Sequence, residues 1–246
     1  MLTIAIIAQK GGSGKTTVAR CLAVAFERSG QAAAIIDLDP QASATLWKKR
    51  REAEHPEVIP TVLPLLADTL KASAESVAVV LIDTPPKSAD AAIAAAKAAD
   101  LIIIPCRPQI DDIETLPATK QILDVTGNKP TFVLLNSVPP NEARVKEAAA
   151  SITDHPTAPF PVCGHTFGTR AAYGDSSVLG LTPQEYEPHG KAAQEVENAH
   201  NYVCGIVKKL TIEQVDSINR ALATGEASGT PRPFESEDFK ARVAAK

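Results

Sequence analysis

A chain of 246 residues, 44% hydrophobic but only 4% aromatic, has enough aliphatic and alanine mass for the core of one α/β unit. Its net charge of −4 excludes a polycation, so any nucleic-acid contact must come from a local patch, doubled if the chain dimerises. The cysteines, Cys21, Cys106, Cys163 and Cys204, stand far apart without a C-x-x-C pair, which argues against a zinc or iron–sulfur centre and against a disulfide framework.

Leu2 begins an apolar run, LTIAIIAQ, that reads as a buried strand and leaves no room before it for a signal peptide. No apolar stretch reaches about 18 residues, so the expectation is a cytoplasmic protein without a membrane span. The strand gives way to KGGSGKTT, and a helical pattern follows from residue 15 to 28, with Val18, Leu22, Ala25 and Phe26 on one face. Strand, glycine-rich loop and helix in that order make a phosphate cradle. Backbone N–H groups at Gly11, Gly12 and Gly14 can turn onto an anion, and the helix N-terminus adds partial positive charge. Lys15 supplies a cation for the outer phosphates, and Thr16 a hydroxyl for Mg²⁺. The ordinary P-loop, G-x-x-x-x-G-K-[ST], would have glycine where Gln9 stands, and here a second lysine, Lys10, precedes the paired glycines. In this form the motif resembles the deviant Walker A motif of the ParA/MinD family of ATPases. The resemblance implies that Lys10, Gly11, Gly12, Ser13, Gly14, Lys15, Thr16 and Thr17 bind ATP.

Residues 32–37 form a second apolar run, expected in a parallel sheet covered on both sides. It ends in Asp37-Leu38-Asp39-Pro40-Gln41, at the edge where such sheets carry ligands. The segment resembles the family's A′ motif, which implies that Asp39 orients the attacking water and Asp37 supports the metal shell. Alternatively, both are capping acids in a turn, with Pro40 starting the helix. Residues 43–54 read as a helix carrying Trp47 and four consecutive cations, which wrap around it as a solvated face. A third strand is expected at 58–63 and a short helix at 66–76.

The run VAVVLID at 77–83 ends in a single acid, Asp83, before Thr84-Pro85-Pro86. That is the pattern of a Walker B strand, whose carboxylate holds a water on Mg²⁺. An alanine-rich packing helix is expected at 89–99, a strand at 100–106, and a helix within 109–126. A sixth strand at 130–137 contains Asn136, where the resemblance implies a side chain that reads the adenine edge, though an Asn at a strand end also serves as a turn residue. A helix at 141–152 and a last strand at 160–167 follow, and the loop holding Thr166 and Phe167 is expected to pass the base. Arg170 falls in a segment that resembles one where several ParA proteins carry a basic residue used on DNA, although a lone arginine is more often in a surface ion pair. A helix from about His189 should turn Ala193, Val196, Ala199, Val203 and Val207 inward. Its pattern is similar to the end of small plasmid-type ParA proteins. Thr211 is expected to cap a further helix carrying Ile212, Val215, Ile218 and Leu222, ahead of a polar tail at 225–246.

Strands alternating with helices predict a doubly wound, mostly parallel sheet with helices on both faces, a P-loop ATPase domain over 1–210 and an extension over 211–246. The resemblance implies ATP and Mg²⁺ as cofactors, with Thr16, Asp37, Asp39 and Asp83 around the metal and Lys10, Lys15 and Asp39 as the catalytic set. It implies a homodimer that sandwiches two ATP molecules, with Lys10 crossing to the partner's nucleotide. It further implies slow turnover, non-specific DNA binding at the nucleoid, a ParB-like adaptor, and partition of a plasmid or chromosome. A MinD-like ATPase positioning cargo on a membrane or protein complex is the alternative. The ending PFESEDFKARVAAK, acidic and poor in large apolar residues, argues against a membrane helix.

Overall fold

The computed structural model describes residues 1–127 and 129–227, with side chains through 213 and at 216. Six strands form one all-parallel sheet in the order β3-β2-β4-β1-β5-β6. In chain order, β1 (Leu2–Ile6) leads through the glycine loop into α1 (Lys15–Arg28), and β2 (Ala33–Asp37) into α2 (Ser43–Arg50). β3 (Glu57–Pro60) precedes α3 (Leu66–Ser73), and β4 (Val79–Asp83) precedes α4 (Ala89–Ala98). β5 (Leu101–Cys106) is followed by α5 (Ile110–Ile113) and α6 (Leu116–Asp124), and β6 (Thr131–Leu135) by α7 (Glu142–Thr153). Then come α8 (Ala171–Val178), α9 (Pro183–Tyr186) and α10 (Lys191–Ala227).

Alternation along each strand sends its side chains to two faces, and both are covered, which is why β2, β4 and β5 read as unbroken apolar runs. Ala5, Ile36, Ile82, Ile102 and Val133 meet Ala92, Ala95 and Ala96 of α4, Leu123 of α6 and Ile152 of α7. On the opposite face α1 lies over β2 and β4 and buries Val18, Leu22 and Phe26. The register sets Asp37 beside Asp83, and Ile6 beside Asp83, so the glycine loop and both acidic strand ends emerge together at the C-terminal edge.

The departures from expectation have local causes. The segment 160–167 is not a strand: it touches the sheet through an isolated bridge between Val133 and Val162, with a second between Val138 and Gly168. Pro159 and Pro161 cannot donate to a ladder, and Gly164 weakens an extended run. α2 stops at Arg50 because Arg51 turns extended to reach Glu185, Gly180 and His55 with its guanidinium. β3 ends at Pro60, and the residues expected to prolong it form a 3-10 turn, Leu63–Leu65, around Pro64. Two helices replace one across 109–126, since Pro117 must open a helix rather than continue one.

Packing divides the chain into Met1–Cys204 and Gly205–Lys246. α10 runs through residue 211 unbroken, and Thr211 bonds back to the Val207 carbonyl at 3.0 Å instead of capping a new helix. Ala193, Val196, Ala199 and Val203 are buried, Val207 is half-buried and Ile212 is exposed. The expected roles of Val215, Ile218 and Leu222, and the tail beyond residue 227, lie outside the described residues. Among the described residues, no helix is long and apolar enough to cross a membrane.

Candidate functional site

The glycine loop joins β1 to α1 with a backbone that only glycine tolerates at two points. Gly12 has φ +74° and Gly14 φ +100°, and a Cβ on Gly14 would lie 1.9 Å from the Asn136 amide nitrogen. That amide donates to the Ser13 carbonyl at 2.7 Å, so Asn136, at the end of β6, clamps the loop from below. The contact expected of Asn136 is with adenine; in this structure its amide nitrogen is used on the loop. Asn136 is 7% exposed and its amide is engaged beneath the cradle.

Lys15 is 6% exposed and folds back over the loop, donating to the Lys10 carbonyl at 3.3 Å. Burial pulls its pKa below the ordinary lysine range, against the attraction of Asp83 and Asp39. A buried cation with so few partners invites an anion. Thr16 Oγ1 donates to Asp83 Oδ2 at 2.6 Å. Asp83 is 1% exposed, and burial pushes its pKa up to about 7 although the Thr16 bond acts the other way. Its second oxygen, Oδ1, is buried without a hydrogen-bond partner among the described residues. A hydroxyl and an unsatisfied carboxylate oxygen beside a phosphate cradle are hard-oxygen donors that fit Mg²⁺.

The two acids after β2 have different duties. Asp37 is buried and fully used: Oδ1 accepts from the Asp39 N–H at 3.2 Å, and Oδ2 from the Thr45 N–H and hydroxyl at 2.9 and 2.8 Å. These bonds tie α2 to the loop through Asp37, the residue expected to support the metal shell. Asp39 is on the wall of the cavity, steadied by the Gln41 N–H at 2.9 Å. That cavity, about 500 Å³, is also lined by Gly12, Gly14, Lys15, Thr16, Thr17 and Pro86. Its far wall holds three residues not anticipated from the sequence: Arg20, Arg50 and Ser177. Arg20 had a signal, since it stands one helical turn beyond Thr16 on the same face. Ser177 had none.

A second cavity, about 380 Å³, is lined by Val138, Pro139, Pro140, Thr166, Gly168 and Thr169 among others. Thr166, expected to pass the base, is on the wall of this cavity. Phe167, expected to join it, is fully buried, stacks on Tyr173 with centroids 5.3 Å apart, and bonds through its backbone to Leu135 and Val138. Arg170 is committed to Glu195, with Nε at 2.7 Å and Nη2 at 2.6 Å from Oε1. Glu195 also accepts from the Gly168 N–H and the Tyr173 hydroxyl, both at 3.0 Å. The ion-pair alternative is the one realised.

Lys10 is at the rim, its side chain 28% exposed, and pairs within its own chain with Asp112 at 3.0 Å and Asp111 at 3.5 Å. The hydrogen bond to Asp112 raises its pKa. Asp112 is buried at the start of α5 and is gripped from the other side by Arg107 at 2.9 and 3.0 Å. Burial opposes its charge, but the bonds from Arg107 and Lys10 outweigh that and hold it below the usual carboxylate range.

A model of the CobQ/CobB/MinD/ParA nucleotide-binding domain matches residues 4–172. The "Maintenance of carboxysome distribution protein A" of Gloeobacter kilaueensis is 29% identical over 197 residues, covering 79% of this chain and 88% of that protein. The "Protein ParA" of Rhizobium radiobacter is 25% identical over 234 residues, covering 86% of this chain and 98% of that one. Among solved structures, the septum site-determining protein MinD of Pyrococcus horikoshii, complexed with Mg-ADP, superposes with a TM-score of 0.67 at 20% identity, over 82% of this chain and 95% of that chain.

Proposed function

The chain belongs to the CobQ/CobB/MinD/ParA nucleotide-binding family, and on that premise we propose that it is a ParA-like ATPase whose ATP-bound homodimer binds DNA without sequence preference and segregates a cargo. The observation that carries the reading is the pair of lysines on one glycine loop, Lys15 turned into the cradle and Lys10 standing at its rim. One lysine serves the phosphates in its own chain, and a second cation at the rim suits a triphosphate presented by a neighbouring copy. Two triphosphates brought face to face repel, and crossed lysines offset that repulsion.

In this reading the loop N–H groups and Lys15 hold the β- and γ-phosphates, with the glycines fixed by the Asn136 clamp. Thr16 and Asp83 hold Mg²⁺, which neutralises charge on the phosphate oxygens. Asp39 orients the attacking water from the cavity wall, and ATP plus water yields ADP and phosphate. Loss of the γ-phosphate removes the charge that joins the two copies, so nucleotide state becomes assembly state. The adenine occupies the cavity at Pro139 and Thr166. DNA is held through its phosphates, and a DNA-bound, ParB-like adaptor accelerates hydrolysis and release. The protein acts in the cytoplasm, at the nucleoid.

A second reading has one specific support, the relative named for carboxysome distribution: the cargo is a protein assembly rather than a plasmid or chromosome. The core reading is tested by DNA co-sedimentation with ATP, with ADP and without nucleotide, on wild type and Lys10→Ala. Binding with ATP alone, lost in the variant, is the expected result. Equal binding in all three states would sink the switch, and no binding in any would favour a membrane- or protein-directed relative.

A further inference from the structure

The cavity at the glycine loop is lined also by side chains of three helices, and two of them are guanidiniums: Arg20 of α1 and Arg50 of α2, with Ser177 of α8. Arg20 donates to the Ser177 hydroxyl and, at 3.4 Å, to the Tyr173 carbonyl. Arg50 donates from Nε to the Ser177 carbonyl at 3.2 Å. Every one of these partners is neutral. Among the described residues neither arginine has a carboxylate within ion-pair distance, whereas Arg51, Arg107 and Arg170 each have one. Arg20 is half-buried, and a guanidinium partly withdrawn from water without a counter-charge in contact carries a cost. Burial, and behind it the neighbouring Arg50 charge, hold Arg20 below the ordinary arginine range.

Neither arginine belongs to the loop that holds the phosphates in the proposed function: Arg20 stands one turn further along α1 than Thr16, and Arg50 is on the last turn of α2, both on the wall of the same cavity. Two guanidiniums on one serine, Arg20 at its hydroxyl and Arg50 at its carbonyl, suit a small tetrahedral oxyanion, which accepts several hydrogen bonds at once.

We propose that Arg20, Arg50 and the Ser177 hydroxyl form a second oxyanion subsite that takes inorganic phosphate beside the bound nucleotide. The inference rests on reading the cradle as a triphosphate site, because the phosphate set free there leaves through this same cavity. Phosphate from solution has the same chemistry and would fill the subsite equally well.

Equilibrium dialysis of radiolabelled inorganic phosphate against the full chain saturated with Mg-ADP tests the subsite, with a fluorescent ADP analogue titrated in parallel. Wild type should retain one phosphate per chain. Affinity should fall about tenfold or more in Arg20→Met and in Arg50→Met, while ADP affinity moves by less than about threefold. Arg50 is exposed at a helix end, so its variant keeps the result readable if Arg20→Met fails to fold. No retained phosphate in the ADP-loaded wild type, or equal retention in Arg50→Met, overturns the proposal. Failure of ADP to bind wild type sinks the nucleotide reading instead, and phosphate dialysis of the nucleotide-free chain then decides the subsite by the same comparison. Single-turnover hydrolysis with a phosphate sensor separates the sources. Release that lags the chemical step in wild type but not in Arg50→Met identifies phosphate from the γ position, and retention without a lag identifies phosphate from solution.

Discussion

At the scale of single residues, the glycine loop gives the sharpest contrast. Gly14 combines a left-handed φ with a Cβ position occupied by the Asn136 amide, while Gly11 has neither a positive φ nor any atom within 4 Å. Gly14→Ala should therefore cost roughly 2–4 kcal/mol, the sum of backbone strain and the displaced clamp, and Gly11→Ala less than about 0.5. Urea unfolding of both variants checks this. Asn136 leads to a second test. A residue that clamps the loop matters to every nucleotide alike, whereas one that reads adenine matters to ATP more than GTP. Asn136→Ala should weaken ATP and GTP analogues equally, by about tenfold in a competition titration. A selective loss of ATP would restore the base-reading role. The phosphate cradle and Asp83 were legible from the sequence because their chemistry needs specific residue types at fixed spacing. The partners of Asn136, Phe167 and Arg170 were not, because they depend on what faces each side chain: a carbonyl of Ser13, the ring of Tyr173, the carboxylate of Glu195.

At the scale of elements, α2 and α9 are locked together by one buried pair. Arg51 reaches Glu185 at 2.6 and 2.9 Å, lies over the Trp47 ring at 5.1 Å, and Glu185 also accepts from the Thr182 N–H and hydroxyl at 2.9 and 3.0 Å. Glu185→Ala strands a guanidinium whose side chain is 4% exposed and should cost about 3 kcal/mol by chemical denaturation, while Glu185→Gln, which keeps hydrogen-bonding capacity, should cost less. On α10, His200 meets Phe26 edge-on at 4.7 Å, and burial lowers its pKa despite the opposing pull of Glu197. Because the folded pKa is below the unfolded value of 6.5, the unfolded chain takes up the proton first as pH falls. The contribution of neutral His200 is complete above that value and is lost as pH drops from it toward the folded pKa. Melting curves from pH 7.5 to 5 should show that loss in wild type and a flatter profile in His200→Leu. The alternation of apolar strands and helices was readable at β1, β2, β4, β5 and β6, where burial leaves little room for polar interruption, while 160–167 read as a strand and is none. The misread boundaries share a cause: proline at 117, 159 and 161, and a distant partner for Arg51, override local pattern.

At the scale of the whole molecule, the proposed function depends on one cation having two possible partners. In a single chain Lys10 pairs with Asp112 and Asp111 at the head of α5. In the proposed dimer the same ammonium serves a triphosphate held by the other copy, and it cannot do both. The pair within the chain therefore competes with assembly, and nucleotide binding must outbid it. Asp112→Asn removes the stronger of the two carboxylates while keeping a side chain of the same shape beside Arg107. Sedimentation velocity with a slowly hydrolysed ATP analogue should then show dimers at a severalfold lower protein concentration than wild type. Lys10→Ala should remain monomeric with the analogue bound, because the crossing charge is gone while Lys15 and the loop are intact. Competition predicts these two variants to move in opposite directions. If Asp112→Asn instead weakened the dimer as Lys10→Ala does, while melting at the wild-type temperature, the pairing would be a means of aiming Lys10 across the interface rather than of holding it back.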